Sequence, residues 1–152
     1  MACIVAFVTG CGPRGPAVEM VEGVVLLDGR PVAGATVFFS PASNPSDKTA
    51  GLPAAGRTGP DGGFRLNAGG GAKPGAGTKM GDYIVTVIKQ ESDPVPPPDL
   101  DKPSALPPET EVRDLLPTRY KLGATSPLRA TVKQGKNVYR FELDSKAMAG
   151  RE

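Results

Sequence analysis

The chain has 152 residues, a length typical of one domain, and its 18 basic and 16 acidic residues leave a net charge of +2. It contains no histidine, and its two cysteines lie at the N-terminus, which argues against histidine-based catalysis and against a disulfide framework for the body of the chain. The absence of long blocks of like charge argues against nucleic-acid binding. Twenty glycines and 17 prolines separate short apolar runs, a pattern that favours strands and turns over helices.

Residues 1–10 resemble the core of a secretory signal peptide, because an apolar run from Ala2 to Val8 precedes a cysteine. The stretch Val8-Thr9-Gly10-Cys11 resembles a bacterial lipobox, whose cysteine is lipidated after cleavage. No Lys or Arg precedes Cys11, which departs from the basic start of such signals. The alternative is a buried N-terminal strand that carries two reduced cysteines.

Residues 11–17 are interpreted as the lipidated cysteine and a tether. The segment Gly12-Pro13-Arg14-Gly15-Pro16 cannot continue a strand, and its composition suits a linker. Acyl chains on Cys11 would hold the following domain on a membrane, since each buried CH₂ group contributes roughly 0.8 kcal/mol.

Seven apolar segments with alternating polarity predict strands. In chain order they are Val18–Leu27, Ala35–Ser40, Ala54–Thr58, Phe64–Leu66, Asp82–Lys89, Leu128–Lys133 and Val138–Leu143. Turn residues at Asp28-Gly29, Asp61-Gly62 and Gln134–Asn137 predict that the flanking strands pair as hairpins. The inward positions predict a core of Val25, Val37, Phe39, Phe64, Leu66, Val85, Val87, Val132, Phe141 and Leu143.

Isolated hairpins are unstable in water, so two antiparallel sheets packed face to face are the most economical arrangement. We therefore predict an all-β fold, a seven-stranded antiparallel Greek-key β-sandwich over residues 18–143, with a barrel as the alternative. Tyr83 follows a turn and is either a tyrosine corner or an ordinary half-buried strand residue. Residues 144–152 are predicted to be a flexible tail.

Two segments lack strand or helix periodicity: residues 68–81, rich in glycine, and residues 90–127, rich in proline. One helical turn is possible over Glu109–Leu116, and Leu115–Leu122 has enough apolar residues to pack against the body. The simplest interpretation of 90–127 is a solvated crossover with one fixed segment. The alternative is a partner-contact loop that presents Pro117, Arg119 and Tyr120.

Three aspartates, Asp47, Asp61 and Asp82, match no calcium-loop spacing and are interpreted as turn residues. We therefore predict no metal site and no cofactor.

Three stretches together resemble the carboxypeptidase-regulatory-like domain: Val21–Phe39, Thr58–Leu66 and Gly81–Val87. That family has a prealbumin-like (transthyretin-like) β-sandwich. With the Pro117–Tyr120 and Thr125–Leu128 stretches and the lipobox-like start, the chain resembles small lipoproteins of this type from planctomycete bacteria. The resemblance implies the fold, whereas such domains serve as accessory, spacer or binding modules.

We therefore expect a non-catalytic lipoprotein of the bacterial cell envelope, periplasmic or surface-exposed, that acts as a structural, adhesive or assembly module. Its expected partners are the membrane, through the lipid on Cys11, and an envelope protein or glycan. The alternative is a module that binds a small ligand or glycan through loops 68–81 and 90–127, although Tyr120 is their only aromatic residue. A prealbumin-like hydrolase would require histidines that the chain lacks.

Overall fold

The computed structural model describes residues 17–43, 51–68, 77–92 and 112–148. These residues form strands and two short 3₁₀ helices, with no α-helix among them, so the all-β prediction is confirmed. Residues 1–16, which include Cys11, lie outside the described residues, as does Asp47.

Eleven strands are present in the described residues. They are β1 (Val21–Leu27), β2 (Arg30–Pro31), β3 (Thr36–Pro41), β4 (Ala54–Arg57), β5 (Gly63–Arg65), β6 (Asn67–Ala68), β7 (Gly81–Ile88), β8 (Gln90–Ser92), β9 (Val112–Asp114), β10 (Arg129–Val132) and β11 (Asn137–Leu143). The 3₁₀ helices are Thr118–Tyr120 and Ser145–Met148. Each of the seven predicted segments coincides with or overlaps a strand, and the short strands β2, β6, β8 and β9 are additional.

The strands form two larger sheets and one small ladder. In the first sheet β1 lies between β11 on one side and β2 and β5 on the other. The second sheet has the order β10-β7-β3-β4-β6, and β8 pairs with β9. These strand pairs are antiparallel except for β1 and β11, which run parallel from Val21 opposite Asn137 to Leu27 opposite Leu143. The prediction that all pairs are antiparallel is therefore wrong at this pair.

The two larger sheets share one hydrophobic core. Phe39 of the second sheet contacts Phe64 and Phe141 of the first, with ring centroids 6.4 and 6.1 Å apart. All ten predicted core residues are buried. Because a fully buried large apolar side chain contributes about 1.5–3 kcal/mol, this shared core is the main source of stability.

The chain reverses direction at Asp61-Gly62, as predicted, but the predicted strand Phe64–Leu66 does not pair with Ala54–Thr58. The N–H of Gly59 donates to the carbonyl of Gly63 at 2.8 Å, and β4 pairs with β6 further along. After this turn, β5 pairs with β1 of the first sheet, and β6 then pairs with β4 of the second. One extended segment, residues 63–68, therefore belongs to both sheets.

Of the other two predicted hairpins, the one at Gln134–Asn137 is wrong, and the one at Asp28-Gly29 is short and does not include β3. The turn before Asn137 connects β10 of the second sheet to β11 of the first. Similarly, the Asp28-Gly29 turn pairs β1 only with the two-residue β2, and β3 then lies in the second sheet. Turn residues predict where the chain changes direction. They do not predict which sheet the next strand joins, because a strand with one apolar face can bury that face in either sheet.

The described part of segment 90–127 contains structure that the sequence did not predict. β9 pairs with β8, so the helical turn considered for Glu109–Leu116 is wrong at residues 112–114. Asp114 accepts hydrogen bonds from Gln90 at 2.8 Å and from Lys121 at 3.0 Å. Both bonds lower the pKa of its carboxyl, and the bond from Gln90 has the larger effect. The packing of Leu115–Leu122 against the body is confirmed, since Leu116, Pro117 and Tyr120 are buried.

The start of the predicted tail is ordered against the body. The backbone N–H of Asp144 donates to the Tyr120 hydroxyl at 3.0 Å, and that of Ser145 donates to the Asp28 carboxylate at 3.0 Å. These bonds place the second 3₁₀ helix beside the Asp28-Gly29 turn, whereas residues 149–152 lie outside the described residues.

Candidate functional site

The outer side of β11 has no strand partner among the described residues. Asn137 N–H donates to the Met20 carbonyl and the Leu143 carbonyl accepts from Asp28 N–H, both at 2.9 Å, so the odd-numbered residues of β11 bond β1. Because a parallel ladder uses every second residue, the N–H and C=O groups of Val138, Arg140 and Glu142 point away from β1. These are the groups that an added strand would bond.

The open stretch of this edge runs from Val138 to Glu142. Val138 is 65% exposed, and Arg140 forms an ion pair with Glu142 at 2.7 Å. An exposed pair of this kind contributes little to stability. The edge ends at Asp144, two residues after Glu142, because the Asp144 N–H is already bonded to the Tyr120 hydroxyl. We call Val138–Glu142 the open edge.

A groove of about 970 Å³ lies between the outer face of the first sheet and the β4–β5 turn. Glu22 lines it and receives Lys136 Nζ at 2.6 Å and Arg65 Nε at 3.5 Å. The hydrogen bond from Lys136 is the main cause of the lowered pKa of Glu22. Arg57 also lines the groove and has no ion-pair partner among the described residues, and Asn67 Oδ1 is buried without a hydrogen bond.

The predicted partner-contact residues have different environments. Pro117 and Tyr120 are buried, and the Tyr120 ring lies 5.2 Å from the Arg119 guanidinium. Arg119 is exposed. A partner could therefore touch Arg119 but would have to unpack the segment to reach the other two side chains. The predicted lipidation site, Cys11, lies outside the described residues and stays a prediction.

Tyr83 has the environment of a tyrosine corner. Its side chain is fully buried, and its hydroxyl donates to the carbonyl of Lys79 at 2.8 Å and lies 3.0 Å from Thr78 Oγ1. Burial is the main cause of the raised pKa of this hydroxyl. Of the two alternatives for Tyr83, the structure shows the first.

The two described aspartates considered for metal binding have hydrogen-bonding roles. Asp61 accepts the N–H of Gly63 at 3.0 Å within its own turn, and Asp82 accepts the hydroxyl of Thr131 at 2.7 Å between neighbouring strands. Within the described ranges there is no cluster of three or more His, Cys, Asp or Glu side chains suited to a metal ion.

Comparison of the chain with protein-family models, curated proteins and solved structures found no match. The resemblance to the carboxypeptidase-regulatory-like domain therefore stays a prediction. None of the helices in the described residues has the length and apolar character to cross a membrane.

The sequence did not show which strand would form the open edge. The alternation of residues 138–143 predicts a strand with one wet face, but it carries no information on which strand ends a sheet. The clearest available signal is the alternation of exposed Val138, Arg140 and Glu142 with inward aromatic residues.

Proposed function

We propose that this protein is a non-catalytic module of the bacterial envelope that assembles with another envelope component by strand pairing. The observation that carries the proposal is the open edge of β11, with three residues whose backbone groups face away from their own sheet. In strand addition the backbone bonds supply affinity, and alternate side chains supply specificity. Arg140 and Glu142 are placed to make that selection.

The lipobox-like residues support a membrane anchor for this module. An acyl-modified Cys11 would keep the domain at the envelope, and several chains make such binding stable. We further infer that the two larger sheets form a prealbumin-like sandwich of the carboxypeptidase-regulatory-like type. The shared core and the agreement of the seven main segments with observed strands support this assignment.

Metabolic labelling with palmitate tests the anchor. We expect the wild-type chain to take up label and Cys11→Ser to take up none, because the thiol is the attachment point. The variant Cys3→Ser is the matched control and should be labelled like the wild type. An unlabelled wild-type chain in a bacterial host would rule out the anchor.

Photo-crosslinking in intact cells tests the edge, with a photoreactive residue at exposed Val138. Arg140→Pro removes an N–H that points away from β1, so the sheet keeps its own bonds, whereas Arg140→Ala retains that N–H. We expect Arg140→Pro to abolish the crosslinked product and Arg140→Ala to preserve most of it. Equal crosslinking in both variants would contradict recognition through the backbone.

A second candidate function is binding of a small anionic ligand or acidic glycan in the groove. Arg57, which lines the groove without an ion-pair partner among the described residues, favours it. This site differs from the predicted loops 68–81 and 90–127. A thermal-shift screen of acidic sugars should raise the melting temperature of the wild type but not of Arg57→Ala, and uniformly flat results would exclude it.

A further inference from the structure

The end of the sheets at which β1 begins brings three separate stretches of chain together. Glu19 and Thr78 exchange backbone hydrogen bonds at 2.7 and 3.1 Å, and Glu19 Oε2 accepts the N–H of Gly135 at 2.7 Å. Residues 17–20, 77–80 and 133–137 therefore form one continuous surface. We call it the tether end, because residue 17 is where the predicted tether joins the described domain.

Two methionines make the tether end apolar. Met20 is 47% exposed and Met80 is 51% exposed, and the Glu19–Thr78 bridge holds the two stretches side by side. Exposed methionines on a loop-rich surface are flexible and polarizable, which suits contact with an irregular apolar phase.

Lysines lie on two of the three stretches that form the tether end. Lys136 is paired with Glu22, and Glu19 is engaged with the turn at Gly135. The ammonium groups of Lys79 and Lys133 have no partner among the described residues. The acceptor bonds of Glu19 and Asp82 come from neutral donors, so both carboxylates keep their charge. Four basic side chains (Arg65, Lys79, Lys133 and Lys136) against three acidic ones (Glu19, Glu22 and Asp82) leave this end an excess of one positive charge, the sign that attracts an anionic surface.

The tether limits how far this end can lie from the membrane. Five residues, Gly12–Pro16, separate Cys11 from Ala17. A fully extended chain advances at most about 3.3–3.6 Å per residue, so Ala17 lies within roughly 20 Å of a lipid-bearing Cys11. The part of the domain that faces the bilayer is then the tether end.

We propose that the tether end docks on the surface of the bilayer that holds the Cys11 lipid, with Met20 and Met80 in the interfacial region. Lys79 and Lys133 contact anionic headgroups. This inference rests on the proposed lipid anchor. It gives the module a fixed orientation, with strands β1 and β11 running away from the membrane and the β8–β9 ladder at the far end.

Tryptophan fluorescence tests the docking, because the chain contains no tryptophan and one introduced residue reports one position. The variants are Met20→Trp and Met80→Trp, with Val112→Trp as the control. Val112 is 56% exposed and lies on the β8–β9 ladder. The acylated full chain of each variant is reconstituted in vesicles of phosphatidylcholine and phosphatidylglycerol with bromine on the upper acyl carbons.

We expect the brominated lipid to reduce the emission of the Met20→Trp and Met80→Trp variants at least twofold and to leave Val112→Trp unchanged. Adding Lys79→Glu and Lys133→Glu to Met80→Trp should restore most of its emission, as should vesicles of phosphatidylcholine alone. Circular dichroism of each variant verifies the fold.

The outcomes separate this inference from the anchor. Acylated chains, verified by mass, whose emission is unquenched at both methionine positions would overturn the docking and leave the anchor intact. Equal quenching at all three positions would overturn the orientation in the same way. A chain without an acyl group on Cys11 would overturn the anchor, and the docking with it.

Discussion

Two buried tyrosines serve opposite ends of the molecule, and they differ in how far along the chain their partners lie. Tyr83, near the tether end, bonds the carbonyl of Lys79, four residues upstream. Tyr120, at the far end, receives the N–H of Asp144, 24 residues downstream. A partner close in sequence can be predicted, because a strand tyrosine directly after a turn is a recognisable pattern. A distant partner has no such pattern. This difference explains why the sequence offered the tyrosine corner as one of two alternatives for Tyr83 and gave no indication of the bond between Tyr120 and Asp144.

The surroundings of the two hydroxyls also differ. Tyr83 points into a region where Thr78 is buried and Thr78 Oγ1 donates to the carbonyl of Leu52 at 2.5 Å. The partner of Tyr120, Asp144, is exposed. Water can therefore replace the lost bond at the far end more easily than at the tether end.

The largest expected effect comes from filling the space around Tyr83. A Cβ atom at Gly51 would overlap the Tyr83 hydroxyl, so Gly51→Ala should displace the ring or the loop. We expect a loss of about 3 kcal/mol in the free energy of unfolding, measured by urea denaturation. Gly123→Ala is the control, because its nearest neighbour, Ile84 Cγ2, would lie 3.8 Å away, and it should cost about 0.5 kcal/mol or less.

Removing the two hydroxyls should show the second difference. Tyr83→Phe removes the partly buried bond to the Lys79 carbonyl and also the buried contact with Thr78 Oγ1, and should cost about 2 kcal/mol. Tyr120→Phe removes one partly buried bond, to the N–H of exposed Asp144, and should cost about 1 kcal/mol. Urea unfolding of both variants under identical conditions measures the contrast. Equal losses would show that the two ends are equally accessible to water.

The smallest effect is the dependence of stability on alkaline pH. Burial raises the pKa of Tyr83, so the folded state keeps the phenolic proton at a pH where the unfolded chain, with a pKa of about 10, releases it. The contribution of Tyr83 to the free energy of unfolding is therefore full well below a pH of about 10. It is lost as the pH rises above that value. The urea midpoint of the wild type should drop more between pH 9 and 11 than that of Tyr83→Phe. Burial also raises the pKa of Tyr139, so the variant should retain part of the slope.

Alternation of apolar and polar residues predicted the strands and the core well. Phe39, Val85 and Val87 were expected inside and are fully or almost fully buried. Such a pattern depends on local geometry, since successive side chains of a strand point to opposite faces. The alternation identifies which face of a strand is buried, but not which of the two sheets the strand joins.

Partition of strands between sheets depends on contacts that the local pattern does not contain. Asn137 illustrates this at the turn between β10 and β11: its side-chain amide bonds both the N–H and the C=O of Lys133, at 2.9 and 2.8 Å. A side chain thus supplies the bonds that a hairpin ladder would have made, and it lets the two strands separate. The same limit applies to β8 and β9, whose Gln90–Asp114 contact joins residues 24 positions apart.

The residues singled out for function stay predictions, and the structure shows only where three of them lie. Of the four residues singled out, Cys11 lies outside the described residues, Pro117 and Tyr120 are core residues, and Arg119 is exposed. The open edge and the tether end arise only when distant stretches meet, as when Glu19 bonds Gly135. Exposure at such places is a property of the assembled fold.

The parallel pairing of β1 with β11 has a consequence for how the chain folds. The first strand of the domain completes its hydrogen bonds only with the last one, and contacts such as that between Met20 and Asn137 join residues 117 positions apart. Contacts of this sequence separation slow folding, because a long loop must close before they form. A chain threaded through a membrane from its N-terminus would therefore expose an unpaired β1 until residue 143 has emerged. We expect a late, cooperative folding step and, under the proposed export, a need for protection of β1.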